Sequence, residues 1–227
     1  NLSQPIVIGV EDLNNDGLED FLITHHETNR NIEVFYSNGD GTFKSNLLPA
    51  KSRLLREVSF GDFNNDGLID IYGHTAPHNW DVKANKIYGR LKNKDYSLNE
   101  PDFLLLNKGD KFESVENIKN ITNSNNHQGA LGDFNNDGLL DIFSQVSKGF
   151  YNDRFIIYGE NGNNFYKSSK KLPEIIQEFE ITDAESGDMN GDGYVDLVVT
   201  EHHFGIKPDY LKDKGHLIIF YNILWLL

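Results

Sequence analysis

Cysteine is absent from the 227-residue sequence, so no disulfide braces the fold and thiol usage says nothing of the redox compartment. Basic residues are scarce: 21 Lys and Arg against 35 Asp and Glu give a formal charge of −14. That deficit argues against a nucleic-acid partner, because polyanions are held by clustered Lys and Arg. It favours cations, or neutral ligands such as sugars. Long apolar runs are missing too, and none reaches the roughly 18 residues of a membrane-spanning helix. The nearest, Leu217–Leu227, is interrupted by Tyr221 and Asn222 and reads as a buried strand with an odd end. No long stretch holds a 3.6-residue apolar period, so substantial helices are not expected. The first residue is Asn1, and no basic segment with an apolar core follows it. A secretion signal is therefore expected to lie outside this sequence or to have been removed.

What the chain does contain is a repeat. Asp12-Leu-Asn-Asn-Asp-Gly-Leu-Glu-Asp20 returns as Asp62-Phe-Asn-Asn-Asp-Gly-Leu-Ile-Asp70, as Asp133-Phe-Asn-Asn-Asp-Gly-Leu-Leu-Asp141 and as Asp188-Met-Asn-Gly-Asp-Gly-Tyr-Val-Asp196. The starts lie 50, 71 and 55 residues apart (62 − 12, 133 − 62, 188 − 133). After each acidic loop comes a short apolar run, then a second run such as Ile32–Tyr36 or Phe155–Tyr158. Three of these second runs lead into an Asn/Gly turn and an aromatic, as in Asn38-Gly-Asp-Gly-Thr-Phe43. Runs of four to six residues rich in Ile, Val, Phe and Tyr, punctuated by Gly, Asn and Asp, predict strands and turns. Each repeat is thus read as four short antiparallel strands, A to D, with the acidic loop joining A to B. Stacked units of this size predict an all-β propeller, or a propeller fragment, of about four four-stranded blades. The chain is taken as one domain, 1–227, with repeat units at approximately 1–50, 51–120, 121–175 and 176–227. The fourth unit is incomplete, because Ile223-Leu-Trp-Leu-Leu227 stands where its last turn and strand would be.

The loop carries the chemistry. Side-chain oxygens recur at positions 1, 3, 5 and 9: Asp12, Asn14, Asp16 and Asp20; Asp62, Asn64, Asp66 and Asp70; Asp133, Asn135, Asp137 and Asp141; Asp188, Asn190, Asp192 and Asp196. Glycine at position 6 permits the positive φ that folds the chain back. The position 7 carbonyl, of Leu18, Leu68, Leu139 or Tyr194, can then turn inward. Five or more oxygen donors suit Ca²⁺ better than the strict octahedron of Mg²⁺. The set lacks the His and Cys that zinc prefers. Three carboxylates held about 4 Å apart would repel by roughly 4 kcal/mol per pair at an effective dielectric near 20, so a cation in each loop is expected. About four structural Ca²⁺ follow. An EF-hand is excluded, because position 12 is Ile23, Gly73, Ser144 or Val199 rather than Glu, and the flanks read as strands.

Asp-x-Asn-x-Asp-Gly-x-x-Asp between strands, with a later Asn-Gly-x-Gly-x-Phe turn, resembles the FG-GAP/VCBS repeat family. Tyr72-Gly73 followed by Ala76-Pro77 resembles a degraded form of the namesake motif. The resemblance implies a calcium-binding β-propeller of the integrin-α kind, and calcium ligands at the loop positions named above. It also implies an extracellular, cell-surface or periplasmic setting. Family propellers usually close with seven blades, and four units fall short of that number.

A second pattern is the placing of histidine. His25-His26, His74, His78 and His202-His203 follow strand B, and His127 precedes a strand A. If strands alternate in direction, these positions share the end of the sheets opposite the acidic loops. His26, His74, His78, Trp80, His127, His202 and His203 are accordingly the candidate ligand-binding residues. Imidazoles supply proton transfer or metal ligation, and the indole can stack on sugars. The expected partner is a carbohydrate or a surface-protein ligand, in an adhesion or recognition role. The alternative is a polysaccharide lyase or hydrolase using the histidines, although no nucleophile elbow, zinc-protease helix or phosphate loop occurs, and no catalytic residue is assigned. Asn1-Leu-Ser3 and Asn120-Ile-Thr122 match glycosylation sequons.

Overall fold

A computed structural model of the chain describes residues 5–25, 31–52, 55–75, 101–122, 126–148, 151–160, 163–169, 172, 181–201 and 216–221. These residues form four antiparallel sheets, each an up-and-down meander in chain order. The first comprises β1 (Pro5–Glu11), β2 (Asp20–His25), β3 (Asn31–Ser37) and β4 (Phe43–Lys51). The second comprises β5 (Leu55–Gly61), β6 (Asp70–Thr75), β7 (Phe103–Asn107) and β8 (Phe112–Ser114). The third comprises β9 (Asn126–Gly132), β10 (Asp141–Lys148), β11 (Tyr151–Glu160) and β12 (Asn164–Lys167). The fourth has three strands among the described residues: β13 (Ile181–Gly187), β14 (Asp196–Glu201) and β15 (His216–Phe220). Blade-like meanders are what the repeat predicts. Among the described residues no closed sheet is formed. One short helix, α1 (Glu116–Ile121), follows β8 and was not legible in the apolar pattern.

The chain divides into two compact units. One holds residues 1–60 and 67–126, the other 61–66 and 127–227. In the first, Leu22, Val34 and Leu48 of the first sheet pack against Val58, Ile71 and Leu105 of the second. In the other, Phe143 and Ile156 of the third sheet meet Leu197 and Val199 of the fourth, with Ile218 and Phe220 packed on. Burying one such side chain is worth about 1.5–3 kcal/mol, against about 1 kcal/mol net for a hydrogen bond. The apolar faces therefore hold neighbouring sheets together, and the strand ladders set register within each sheet.

The tail departs from expectation. β15 is a strand, but Leu217 is 67% and Ile219 37% exposed, because only the face bearing Ile218 and Phe220 meets the third sheet. Residues 222–227 lie outside the described residues. The sequon at Asn120 ends on a hydroxyl already committed to the fold. Thr122 is buried; its Oγ1 donates to the Ile118 carbonyl and accepts from the Asp102 amide.

Candidate metal-binding loops

Each acidic loop joins the first two strands of its sheet, and the loops share one hydrogen-bonded frame. In the first, Asp12 Oδ1 accepts from the Asp16 amide at 3.1 Å and Oδ2 from the Gly17 amide at 2.8 Å. Asn14 Oδ1 also accepts from Asp16 N, and Asp16 Oδ1 accepts from Leu18 N. The third loop repeats every one of these bonds with Asp133, Asn135, Asp137, Gly138 and Leu139. The fourth does so with Asp188, Asn190, Asp192, Gly193 and Tyr194. In the second loop Asp66 N donates to Asp62 Oδ1 and Asn64 Oδ1. Four sequence copies thus give four copies of a geometry.

Backbone conformation explains two positions. Glycine at position 6 has φ of 83 to 86° in all four loops, as the sequence predicts. Position 4 is left-handed too, at φ 59° for Asn15, 55° for Asn65, 59° for Asn136 and 76° for Gly191. Asparagine and glycine are the residues that tolerate that region. Sequence reasoning passed over position 4; its signal was Asn, Asn, Asn and Gly in register. Asn15 Nδ2 also donates to the Gly67 carbonyl of the second loop at 3.3 Å.

The ninth-position Asp is the surprise. Asp20, Asp70, Asp141 and Asp196 are each fully buried. Asp20 Oδ2 accepts from the Leu13 amide and Oδ1 from the Ser37 amide at the end of β3. Asp141 does the same with the Phe134 and Gly159 amides, both at 2.9 Å. Asp70 accepts from the Asn107 amide, and Asp196 from the Met189 amide. This carboxylate clamps the loop to the sheet. In Asp20 and Asp141, one amide bond per oxygen leaves each oxygen a further lone pair.

Electrostatics separates the loop positions. Burial pushes the Asp141 carboxyl up to about 7; amide bonds from Gly159 and Phe134 oppose this, and the negative Asp137 and Asp133 add to it. Burial likewise raises Asp20, with the amides of Ser37 and Leu13 pulling down and Asp16 and Asp12 pushing up. Asp188, on the exposed surface, is lowered, chiefly by the Gly193 amide. A carboxyl raised chiefly by burial, and further by neighbouring negative charge, is a group that a bound cation would return to the ionised form.

The side chains of the loops are of the kind calcium takes, carboxylates and a carboxamide, with no nitrogen or sulfur ligand. Among the described residues no three His, Cys, Asp or Glu side chains come together as a group that could hold a metal. In the first and third loops the ninth carboxylate is turned onto amides, so it can join the first and fifth acids as a donor only through its remaining lone pairs.

Of the histidine set, His26, His78, Trp80, His202 and His203 lie outside the described residues, and His127 lies in β9. His74 is enclosed. Its Nε2 lies 3.1 Å from Ser59 Oγ, its ring stands edge-on to Tyr72 at 4.7 Å, and Nδ1 has no hydrogen-bond partner among the described residues. Beside it, Tyr72 Oη and the Thr75 amide donate to the buried Asp102 at 2.7 and 2.9 Å. Gly73 is required by contact: a Cβ there would fall 2.1 Å from the Phe103 ring across the β6–β7 pair. No helix among the described residues is long and apolar enough to cross a membrane.

No curated protein matches the chain. Residues 12–73, which run from the first acidic loop into β6, match the FG-GAP-like repeat family. Loop frame, meander and match agree: this is an all-β chain carrying an FG-GAP-like repeat.

Proposed function

We propose that the chain is a calcium-binding recognition module working outside the cell. Ca²⁺ in each acidic loop would be structural, held by Asp12, Asn14, Asp16, Asp20 and the Leu18 carbonyl in the first and by the matching residues in the others. The shared frame of the loops, with a buried Asp at every ninth position, carries this reading. A buried carboxylate beside other carboxylates is costly without a counter-ion, and a divalent cation offsets that cost in all four places at once. FG-GAP repeats are typical of extracellular proteins, and extracellular calcium is millimolar, which suits loops of modest affinity. The opposite ends of the sheets, where the repeats differ most, would choose a carbohydrate or surface-protein ligand. Enclosure of His74 disfavours it as a proton shuttle for a polysaccharide-active enzyme.

The test is thermal unfolding in chelator and in Ca²⁺, with calorimetric titration beside it. At tenfold excess over Kd each loop is expected to add about 1.4 kcal/mol, or roughly 6 kcal/mol for four. Equal midpoints in the two conditions, with no heat of binding, would end this reading.

A further inference from the structure

Asn107, the buried last residue of β7, ties one acidic loop to another. Its amide donates to Asp70 Oδ1, at the ninth position of the second loop, at 2.7 Å. Its side-chain Nδ2 donates to the Leu13 carbonyl of the first loop at 2.7 Å and to the Ile69 carbonyl of the second at 3.1 Å. Its Oδ1 accepts from the Gly109 amide at 2.9 Å. Donor and acceptor ends are both engaged, which fixes the side chain. Leu13 stands between Asp12 and Asn14, and its own amide donates to Asp20 Oδ2 at 3.1 Å. A hydrogen-bonded path thus runs from one buried acid to another, through Asp20, Leu13, Asn107 and Asp70. All four residues lie in the first compact unit. Ser37 and Gly159 hold the place of Asn107 in the first and third sheets, and each donates its amide to the ninth Asp of its own loop. Ser37 Oγ accepts from the Gly39 amide of its own turn, and a Cβ on Gly159 would lie 2.8 Å from the Leu140 carbonyl. Clamping the ninth Asp therefore needs only the main-chain amide. The side chain of Asn107 does something further, and its reach to the first loop says what.

We propose that Asn107 couples the first and second loops, so that a divalent cation in either one strengthens binding in the other. The coupling rests on the calcium reading above. With the second loop filled, Asp70 is held ionised and in place, and Asn107 is anchored on it. Asn107 in turn anchors the Leu13 carbonyl, and with it the stretch that carries Asp12 and Asn14. Part of the ordering of the first loop is then complete before its own cation arrives, which is the condition for positive cooperativity. The effect is reciprocal: the first loop helps the second by the same factor. Direct electrostatics works the other way, because a cation in one loop lowers the negative potential at its neighbour. Salt screens that opposition, beyond about 3 Å at about 1 M, and leaves the hydrogen-bonded path intact. The coupling is therefore larger at high salt. A second link, from Asn15 Nδ2 to the Gly67 carbonyl, is exposed and longer, at 3.3 Å, and contributes less.

Titration of the whole chain with Ca²⁺ in about 1 M NaCl, followed by NMR at the Gly17 and Gly67 amides, reads the two loops separately. Asp66→Ala disables the second loop and Asp16→Ala the first; both side chains are exposed. The Gly17 midpoint is expected to rise about fivefold or more in Asp66→Ala, and the Gly67 midpoint by the same factor in Asp16→Ala. Asn107→Ser keeps the amide on Asp70 and takes the residue that the first sheet has there. In that background both loops should still bind, and Asp66→Ala should no longer move the Gly17 midpoint. Asn15→Gly keeps the backbone conformation, removes the other link and should leave most of the coupling in place. Should Asn107→Ser lose its native circular dichroism, the Asp16→Ala chain decides alone: its Leu13 amide resonance should move with the midpoint of Gly67 although the first loop is disabled. A Gly17 midpoint indifferent to Asp66→Ala, a shift that persists in Asn107→Ser, or a Leu13 resonance that stays still overturns the coupling while the loops bind calcium. A wild-type chain with no calcium-dependent shift at either glycine removes the calcium reading, and the coupling with it.

Discussion

The acidic loops and the turns between the third and fourth strands are both short, polar and rich in Asn, Asp and Gly, yet they behave differently. The loops keep one length and one set of bonds from sheet to sheet. The turns do not keep one length: the first closes from the Asn38 amide to the Thr42 carbonyl with Asp40 bonded to Thr42, whereas the reversal after β7 closes one residue sooner, from the Lys108 amide to the Lys111 carbonyl. A turn has only to reverse the chain, and many sequences do that. A loop that must hold several oxygens and a buried acid in place has far fewer solutions. Repetition of geometry, rather than of polar composition, separates the candidate metal positions from ordinary turns.

Three experiments break or sharpen that contrast. The largest effect is expected at the buried acid. Asp141→Ala leaves the Phe134 and Gly159 amides without acceptors, at about 1–3 kcal/mol each, so urea unfolding in chelator should show a loss of roughly 2–6 kcal/mol. Asp40→Ala in the turn should leave the urea midpoint where it is. Equal effects at the two positions would erase the distinction.

A smaller effect tests the end of the second sheet away from its loop. Burial lowers His74 from 6.5 to about 3. Between those values the unfolded chain binds a proton that the folded chain does not, so stability is complete above pH 6.5 and falls as pH drops. The slope is about 1.4 kcal/mol per pH unit, or about 2 kcal/mol by pH 5. His74→Gln should flatten that share of the profile, measured by urea unfolding at pH 7 and pH 5. An unchanged profile would mean that His74 ionises in the folded state.

The smallest effect lies at position 4. Asn15→Gly should hold stability, whereas Asn15→Ala should lose about 1–2 kcal/mol, because alanine resists the left-handed region. Thermal melts of the pair decide it; identical melts would show that Asn15 is held by its bond to Gly67 and not by its φ.

Much of this was legible in the sequence because it is local. Apolar pairs such as Ile32 and Val34, the Gly at position 6 and the Asn/Gly turns each signal their structure within a few residues. The ninth Asp was legible as an acid but not as a clamp, because its partners Ser37 and Gly159 lie 17 and 18 residues away and are backbone groups. His74 carries no local mark of burial either. Tyr72 lies two residues away on the same strand, but Ser59 comes beside the imidazole only once β5 and β6 pair. The short helix α1 has too few residues to show a period, and its start lacks a side-chain cap. The exposed face of β15 depends on what stands beside it, which no window of residues can report.

The buried Asp has one more consequence. Because Asp20 grips Leu13 in the loop and Ser37 at the far end of β3 with the same carboxylate, whatever neutralises that charge is sensed at both amides. Gly159 stands to Asp141 as Ser37 does to Asp20. Amide hydrogen exchange at Ser37 and Gly159 therefore becomes a remote gauge of what each loop contains, readable without any signal from the ion itself.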